Sequence, residues 1–100
     1  MPKDKQSIID DIEEHIERCG GTFGDWYVGI SKDARTRLFT EHRVREKKDA
    51  WIYRKAASIE IAREVEAYFV GHRQTAGGTG GGDLDSKAAY AYKIAPHTQP

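Results

Sequence analysis

Isoleucines recur at helical spacing near the start of the chain, with acidic residues between them. The four are Ile8, Ile9, Ile12 and Ile16. An apolar stripe of this kind predicts an amphipathic helix over residues 7–18. We expect Ser7 to cap the start of this helix, and the glycines at positions 20 and 21 to end it.

Beyond this helix, strand-like and helix-like patterns alternate. Strands are predicted over residues 25–30, 50–56 and 87–94, where aromatic and β-branched residues or strict alternation occur. Helices are predicted from Asp33 to about residue 44 and from Ser58 onward. The order α-β-α-β-α-β predicts an α+β fold, in which a small, mainly antiparallel three-stranded sheet is flanked by three helices.

Length and composition favour one domain. The chain has 100 residues, of which 38% are hydrophobic, which is enough for a single core. We expect one domain over residues 1–94 and a flexible tail over residues 95–100. No apolar run predicts a membrane span, no signal peptide pattern is visible, and the lone Cys19 cannot form an internal disulfide. These features predict a cytoplasmic protein with no membrane partner.

Charge is unevenly distributed, although the formal net charge is zero. Residues 32–55 contain nine Lys or Arg and only four Asp or Glu. A local basic zone can attract a polyanion even on a neutral protein, so nucleic acid is a candidate partner. The alternative is that these charges simply solvate a helix face and a loop.

The most specific pattern begins at Tyr27, Val28 and Gly29, where a strand pattern runs into a basic helix pattern. Arg37 follows Tyr27 by ten positions, and Glu66 lies in the third predicted helix. This spacing resembles the second half of the signature of GIY-YIG nucleases. In that family a Tyr-Ile/Val-Gly strand leads into a helix that carries an arginine, and a later helix carries a glutamate.

The first half of that signature, a Gly-Ile/Val-Tyr strand, has no counterpart before Tyr27, and the chain contains no Gly-Ile-Tyr triplet. We hypothesise that residues 89–94 supply the missing strand from the C-terminal side, as in a circularly permuted version of the fold. Tyr90 or Tyr92 would then be the second tyrosine of the site. Alternation puts both on one face of the sheet, so the pattern does not choose between them.

The resemblance implies hydrolysis of DNA phosphodiester bonds with Mg²⁺ or Mn²⁺, and it assigns roles to individual residues. Tyr27 would orient or deprotonate the attacking water, and Arg37 would bind the phosphate. Glu66 would hold the metal, and Tyr90 would complete the catalytic set. His42, one residue beyond the place where many family members have a histidine, would carry a proton.

Each of these residues also has a purely structural interpretation. The tyrosines and His42 would be packing residues, Glu66 a solvated edge residue, and Arg37 a surface arginine no closer to the buried face than Arg35. The whole domain would then be an inactive nucleic-acid-binding module. A third interpretation is a structural or interaction domain, in which the isoleucine stripe of the first helix docks a protein partner or a second copy.

A glycine-rich segment separates the third helix from the last strand. Residues 77–82 contain five glycines and could bind phosphate through backbone N–H groups. The segment lacks the Gly-Lys-Ser/Thr ending of a P-loop, so a connector that returns the last strand to the sheet is the favoured interpretation.

Overall fold

The computed structural model describes residues 4–77 and 86–100, in three helices and three strands. The helices are α1 (Lys5–Cys19), α2 (Ala34–Thr36) and α3 (Ile59–Ala67), and the strands are β1 (Trp26–Ser31), β2 (Trp51–Lys55) and β3 (Ala88–Lys93). π-Helical turns, Arg37–Glu41 and Tyr68–His72, extend α2 and α3. The predicted α+β fold with a three-stranded antiparallel sheet is confirmed. Most of the glycine-rich segment, residues 78–82, lies outside the described residues.

Side-chain caps set where the helices begin. The prediction that Ser7 caps α1 is wrong, because the Asp4 carboxylate accepts a 2.8 Å hydrogen bond from the Ser7 backbone N–H. Ser7 is therefore inside the first turn. The predicted caps at Asp33 and Ser58 are confirmed by hydrogen bonds from the backbone N–H of Thr36 and Ile61.

The last strand occupies the middle of the sheet. The strand order is β1-β3-β2, and β3 pairs antiparallel with both neighbours. Tyr92 lies opposite Tyr27 on one side, and Tyr90 lies opposite Gly29. The hypothesis that a C-terminal strand pairs with the Tyr-Val-Gly strand is confirmed.

One face of the sheet, together with α1 and α3, encloses the main apolar core. The buried side chains include Ile8, Ile9, Ile12 and Ile16 from α1, Trp26 and Val28 from β1, Ala91 from β3, and Val65 and Phe69 from α3 and its extension. All four isoleucines are at most 4% exposed. The interpretation of the isoleucine stripe as a docking surface for a partner or second copy is therefore wrong, because the stripe is covered by the domain's own sheet and third helix.

α2 and its π-helical extension cover the opposite face, which we call the aromatic face. Its buried residues are Ala34, Leu38, Val44, Ala88, Tyr90 and Tyr92, with Tyr27, Trp51 and Tyr53 half-buried beside them. Ala34, Leu38 and His42, which follow one another at four-residue steps, are all buried against this face. Tyr27, His42, Tyr90 and Tyr92 lie on this face, whereas Glu66 belongs to α3, which packs against the other face of the sheet.

Two segments outside the regular elements close the edges of the domain. Ala76 runs parallel to β1 and exchanges backbone hydrogen bonds with Trp26 and Val28. Residues 95–100, predicted to be a flexible tail, contact the residue after the π-helical extension of α2, since the Gln99 N–H donates a 2.8 Å hydrogen bond to the His42 carbonyl. Among the helices of residues 4–77 and 86–100, none is long and apolar enough to cross a membrane.

Candidate active site

Three tyrosines and one histidine form a compact group on the aromatic face. The strand register aligns Tyr27 with Tyr92 and puts Tyr90 on the same face two residues away. The ring centroid of Tyr27 is 4.7 Å from that of His42, 5.2 Å from Tyr92 and 6.3 Å from Tyr90. The sequence left Tyr90 and Tyr92 as alternatives, and the structure brings both next to Tyr27.

Gly29 makes this close packing possible. A Cβ atom at this position would lie 2.6 Å from the Tyr90 hydroxyl oxygen and 3.2 Å from a ring carbon of Tyr27. These distances are too short for any real side chain. The glycine of the Tyr-Val-Gly triplet is therefore required by the position of the Tyr90 phenol.

His42 links two parts of the chain through both ring nitrogens. Nδ1 lies 2.6 Å from the Gln99 carbonyl oxygen, and Nε2 lies 2.7 Å from the Tyr90 hydroxyl. A carbonyl oxygen can only accept a hydrogen bond, so Nδ1 carries the proton and donates a hydrogen bond to the Gln99 carbonyl. In the neutral ring Nε2 is then the acceptor, and the Tyr90 hydroxyl donates to it. This fixes the tautomer of His42 and the direction of the Tyr90 O–H bond.

The π-helical turn after α2 positions His42. The His42 N–H donates to the carbonyl of Arg37, five residues earlier, at 2.9 Å. A π turn takes up one more residue than an α turn. The helix ends immediately afterwards, because Arg43 adopts a left-handed conformation with φ of 61°.

Burial keeps the polar groups of this cluster neutral. Burial lowers the pKa of His42, and this effect outweighs the hydrogen bond to the Gln99 carbonyl, which raises the pKa. Burial also raises the pKa of the Tyr90 and Tyr92 phenols well above their usual range. At neutral pH the imidazole is therefore an acceptor and both phenols keep their protons.

The Tyr90 phenol is the point at which the predicted site residues meet electrostatically. After burial, the charges that act on its pKa come from Tyr27, Arg37, Tyr92 and Glu66; Arg37 lowers the pKa and the other three raise it. Electrostatic effects of this kind act over short distances in a protein. Charges on β1, α3, β3 and the turn after α2 therefore all influence the pKa of one hydroxyl.

Glu66 is an unusual carboxylate. It is 5% exposed, and burial raises its pKa to about 7 despite the nearby charge of Arg63. Within the described part of the chain it makes no hydrogen bond or ion pair. Glu64, by contrast, is exposed and lies 3.3 Å from the Lys5 ammonium. The interpretation of Glu66 as a solvated edge residue is wrong, because burial removes it from solvent.

Arg37 is half-exposed, and its Nε lies 3.5 Å from the Glu41 carboxylate. It lines a hollow of about 370 Å³ at the start of α2. Arg35 is engaged elsewhere, with a 2.8 Å ion pair to Glu46 and its guanidinium 5.1 Å from the Phe39 ring centroid. The structure therefore distinguishes the two arginines that the helical pattern alone did not.

Metal ligands are sparse in this region. Among residues 4–77 and 86–100, no group of three or more His, Cys, Asp or Glu side chains could hold an ion. A divalent cation at Glu66 would have one carboxylate ligand and would keep most of its water. The buried, unpaired carboxylate of Glu66 fits such a site chemically.

Sequence analysis missed one functional group, the main-chain carbonyl of Gln99. This oxygen accepts from His42 and lies 3.3 Å from the Tyr92 hydroxyl. No side-chain pattern could have indicated it, because any residue supplies a carbonyl. Comparison of the chain with protein-family models, characterised proteins and solved structures finds no match.

Proposed function

We propose that this protein is a metal-dependent nuclease that hydrolyses DNA phosphodiester bonds, with the strands of a GIY-YIG-like fold in permuted order. The observation that carries the proposal is the cluster around the Tyr90 phenol, which donates a 2.7 Å hydrogen bond to His42 and lies beside the Tyr27 ring. With Arg37 and the buried carboxylate of Glu66, the chain has the phenol, guanidinium and carboxylate that phosphodiester hydrolysis requires.

Two features of the backbone support this proposal. β3 lies beside the Tyr-Val-Gly strand, which is where the family's missing first strand would be. The π turn that ends at Glu41 takes up one extra residue. That extra residue matches the offset of His42 from the histidine position of many family members.

The chain's own groups suggest a route for the proton of the attacking water. The water oxygen forms a bond to phosphorus, and its proton passes to the Tyr90 oxygen while the Tyr90 proton passes to Nε2 of His42. The bond from phosphorus to the leaving oxygen breaks, and that oxygen takes a proton from solvent. Arg37 stabilises the charge on the phosphate oxygens.

Glu66 would hold Mg²⁺ or Mn²⁺, and such an ion supplies further stabilisation of negative charge on the phosphate. Because the His42 pKa is lowered, the imidazole is neutral and able to accept a proton at neutral pH. Activity is therefore expected to fall as pH drops through about 7, where Glu66 takes up a proton, and to fall further below the ordinary histidine pKa of about 6.5.

Nicking of supercoiled plasmid DNA with Mg²⁺ or Mn²⁺ tests the proposal. Tyr90→Phe, Arg37→Ala and Glu66→Gln should each reduce the nicking rate by about a hundredfold or more. Glu64→Gln is the matched control, since it removes a carboxylate two residues away that is exposed and paired with Lys5. Nicking that is equally fast in Glu66→Gln and Glu64→Gln would contradict the proposal.

A second candidate function is nucleic-acid binding without cleavage. The observation that favours it is the single carboxylate of the metal site, which is a weak ligand set. In that case purified protein binds DNA in a salt-sensitive way but does not nick it with either metal. Binding that persists unchanged in Arg37→Ala would further favour this function over the nuclease.

A further inference from the structure

A groove follows the start of α2 from the candidate site toward the outer strand of the sheet. The hollow beside Arg37 is lined by Lys32 and Asp33. A second hollow of about 190 Å³ is also lined by Lys32 and Asp33, and it extends to Tyr53 and Lys55 on β2. The two hollows adjoin at these residues, and we call them together the α2 groove.

The unpaired charge in the α2 groove is positive. Asp33 is occupied as a helix cap, since its carboxylate accepts from both the N–H and the hydroxyl of Thr36. Arg35 is paired with Glu46. Lys32 and Lys55 are exposed, and neither makes an ion pair within the described residues. Counting only ion pairs among the described residues, the groove therefore offers two unpaired ammonium groups in addition to Arg37, which lies 3.5 Å from Glu41.

An aromatic pair lies at the far end of the α2 groove. Tyr53 and Trp51 are half-buried and stack with centroids 6.1 Å apart and ring planes 10° apart. Trp51 is anchored by a 2.9 Å hydrogen bond from its indole N–H to the Glu46 carbonyl. The outer ring of a fixed stack is a surface on which a further flat group can stack.

We propose that the α2 groove binds a single strand of nucleic acid, with phosphates at Lys32 and Lys55 and a base stacked on Tyr53. Alternating cationic and aromatic side chains are how proteins bind single strands without reading sequence. The inference rests on the proposed action on nucleic acid, and it assigns the path of the strand beyond the phosphate held at Arg37. A duplex would present its bases stacked inside the helix and could not use Tyr53 in this way.

Fluorescence anisotropy with a labelled oligothymidine of about ten nucleotides, in EDTA, tests the groove apart from catalysis. Lys32→Gln and Lys55→Gln should each reduce the slope of log affinity against log salt by about 0.7. Tyr53→Leu should weaken binding by about five- to a hundredfold. Lys5→Gln is the matched control, because it removes a lysine on α1, on the opposite face of the sheet.

Circular dichroism and thermal melting of each variant establish that it is folded. If folded Lys32→Gln and Lys55→Gln bind with unchanged affinity and salt slope, the proposal that the α2 groove binds the strand is overturned, even if the wild-type protein nicks plasmid DNA. Tighter binding of a duplex than of the single strand overturns the strand assignment. Loss of binding in the groove variants, in a protein that never nicks DNA, supports the groove while the nuclease proposal fails.

Discussion

The two faces of the sheet differ in what holds them together. The face toward α1 and α3 is packed with aliphatic and ring carbon atoms, with α1 contributing four isoleucines. The aromatic face holds buried polar atoms joined in a chain, from the Tyr90 hydroxyl through His42 to the Gln99 carbonyl. Apolar burial stabilises a fold without specifying directions, whereas a hydrogen-bonded chain fixes the orientation of each group. The face toward α1 and α3 therefore mainly stabilises the fold, and the aromatic face mainly fixes the orientation of the polar groups in the candidate site.

The largest effect should come from a cavity in the apolar face. Ile12→Ala removes a fully buried side chain and should lower the free energy of unfolding by about 2–5 kcal/mol. Tyr92→Phe on the aromatic face removes one hydroxyl and should cost about 1 kcal/mol. Urea denaturation followed by circular dichroism measures both. Equal losses in the two variants would contradict the assignment of stability to the apolar face.

At Glu66 a substitution is expected to stabilise the protein, whereas the substitutions of Ile12 and Tyr92 destabilise it. Because burial raises its pKa from 4.5 to about 7, the folded state favours the protonated carboxyl, and stability is lost as pH rises through this interval. Glu66→Gln removes this loss and should be more stable than the wild type by roughly 3 kcal/mol at pH 8, since one pKa unit corresponds to about 1.4 kcal/mol. The gain should disappear near pH 4. Urea denaturation at both pH values, in EDTA, measures it.

Glu66→Gln also tests metal binding, with stability and not activity as the measured quantity. A cation that binds the folded carboxylate stabilises the protein by mass action. Addition of Mg²⁺ at pH 8 should therefore raise the urea midpoint of the wild type and leave that of Glu66→Gln unchanged. Glu64→Gln should behave as the wild type does. An equal rise in all three proteins would argue against Glu66 as the ligand.

A smaller loss of stability than that of Ile12→Ala is expected at Gly29. Gly29→Ala puts a methyl group 2.6 Å from the Tyr90 hydroxyl, which must move away from His42. Overpacking of this kind costs about 1–3 kcal/mol. Imidazole ¹⁵N chemical shifts should report the lost hydrogen bond at Nε2. Gly71→Ala is the control, since a Cβ there meets no atom within 4 Å.

The periodicity of apolar residues was sufficient to predict the helices and strands, because each of them has a clear apolar pattern. The isoleucine spacing identified α1, whereas the position of β3 beside β1 was hypothesised from the resemblance to the GIY-YIG signature and its missing first strand. The start of α1 was missed, because Asp4 and Ser7 are both good capping residues and the sequence does not show which one the chain uses.

The site was predictable only where side-chain identity carried the information. Tyr27, Arg37 and Glu66 were found by their spacing, but the burial of Glu66 depends on how α3 packs against the sheet, which no local pattern encodes. Arg37 was preferred to Arg35 by its spacing to Tyr27, and in the structure Arg35 is paired with Glu46. The role of the Gln99 carbonyl could not be predicted from the sequence, because the group belongs to the backbone and every residue has one.

The central position of β3 has a consequence for how the protein is made. β1 and β2 hydrogen-bond only to β3 within the sheet, and not to each other. While the chain leaves the ribosome, the first two of the described strands therefore have no strand to pair with until residues 88–93 emerge. We expect the sheet to assemble late and in one step, so nascent chains shorter than this should remain sensitive to protease.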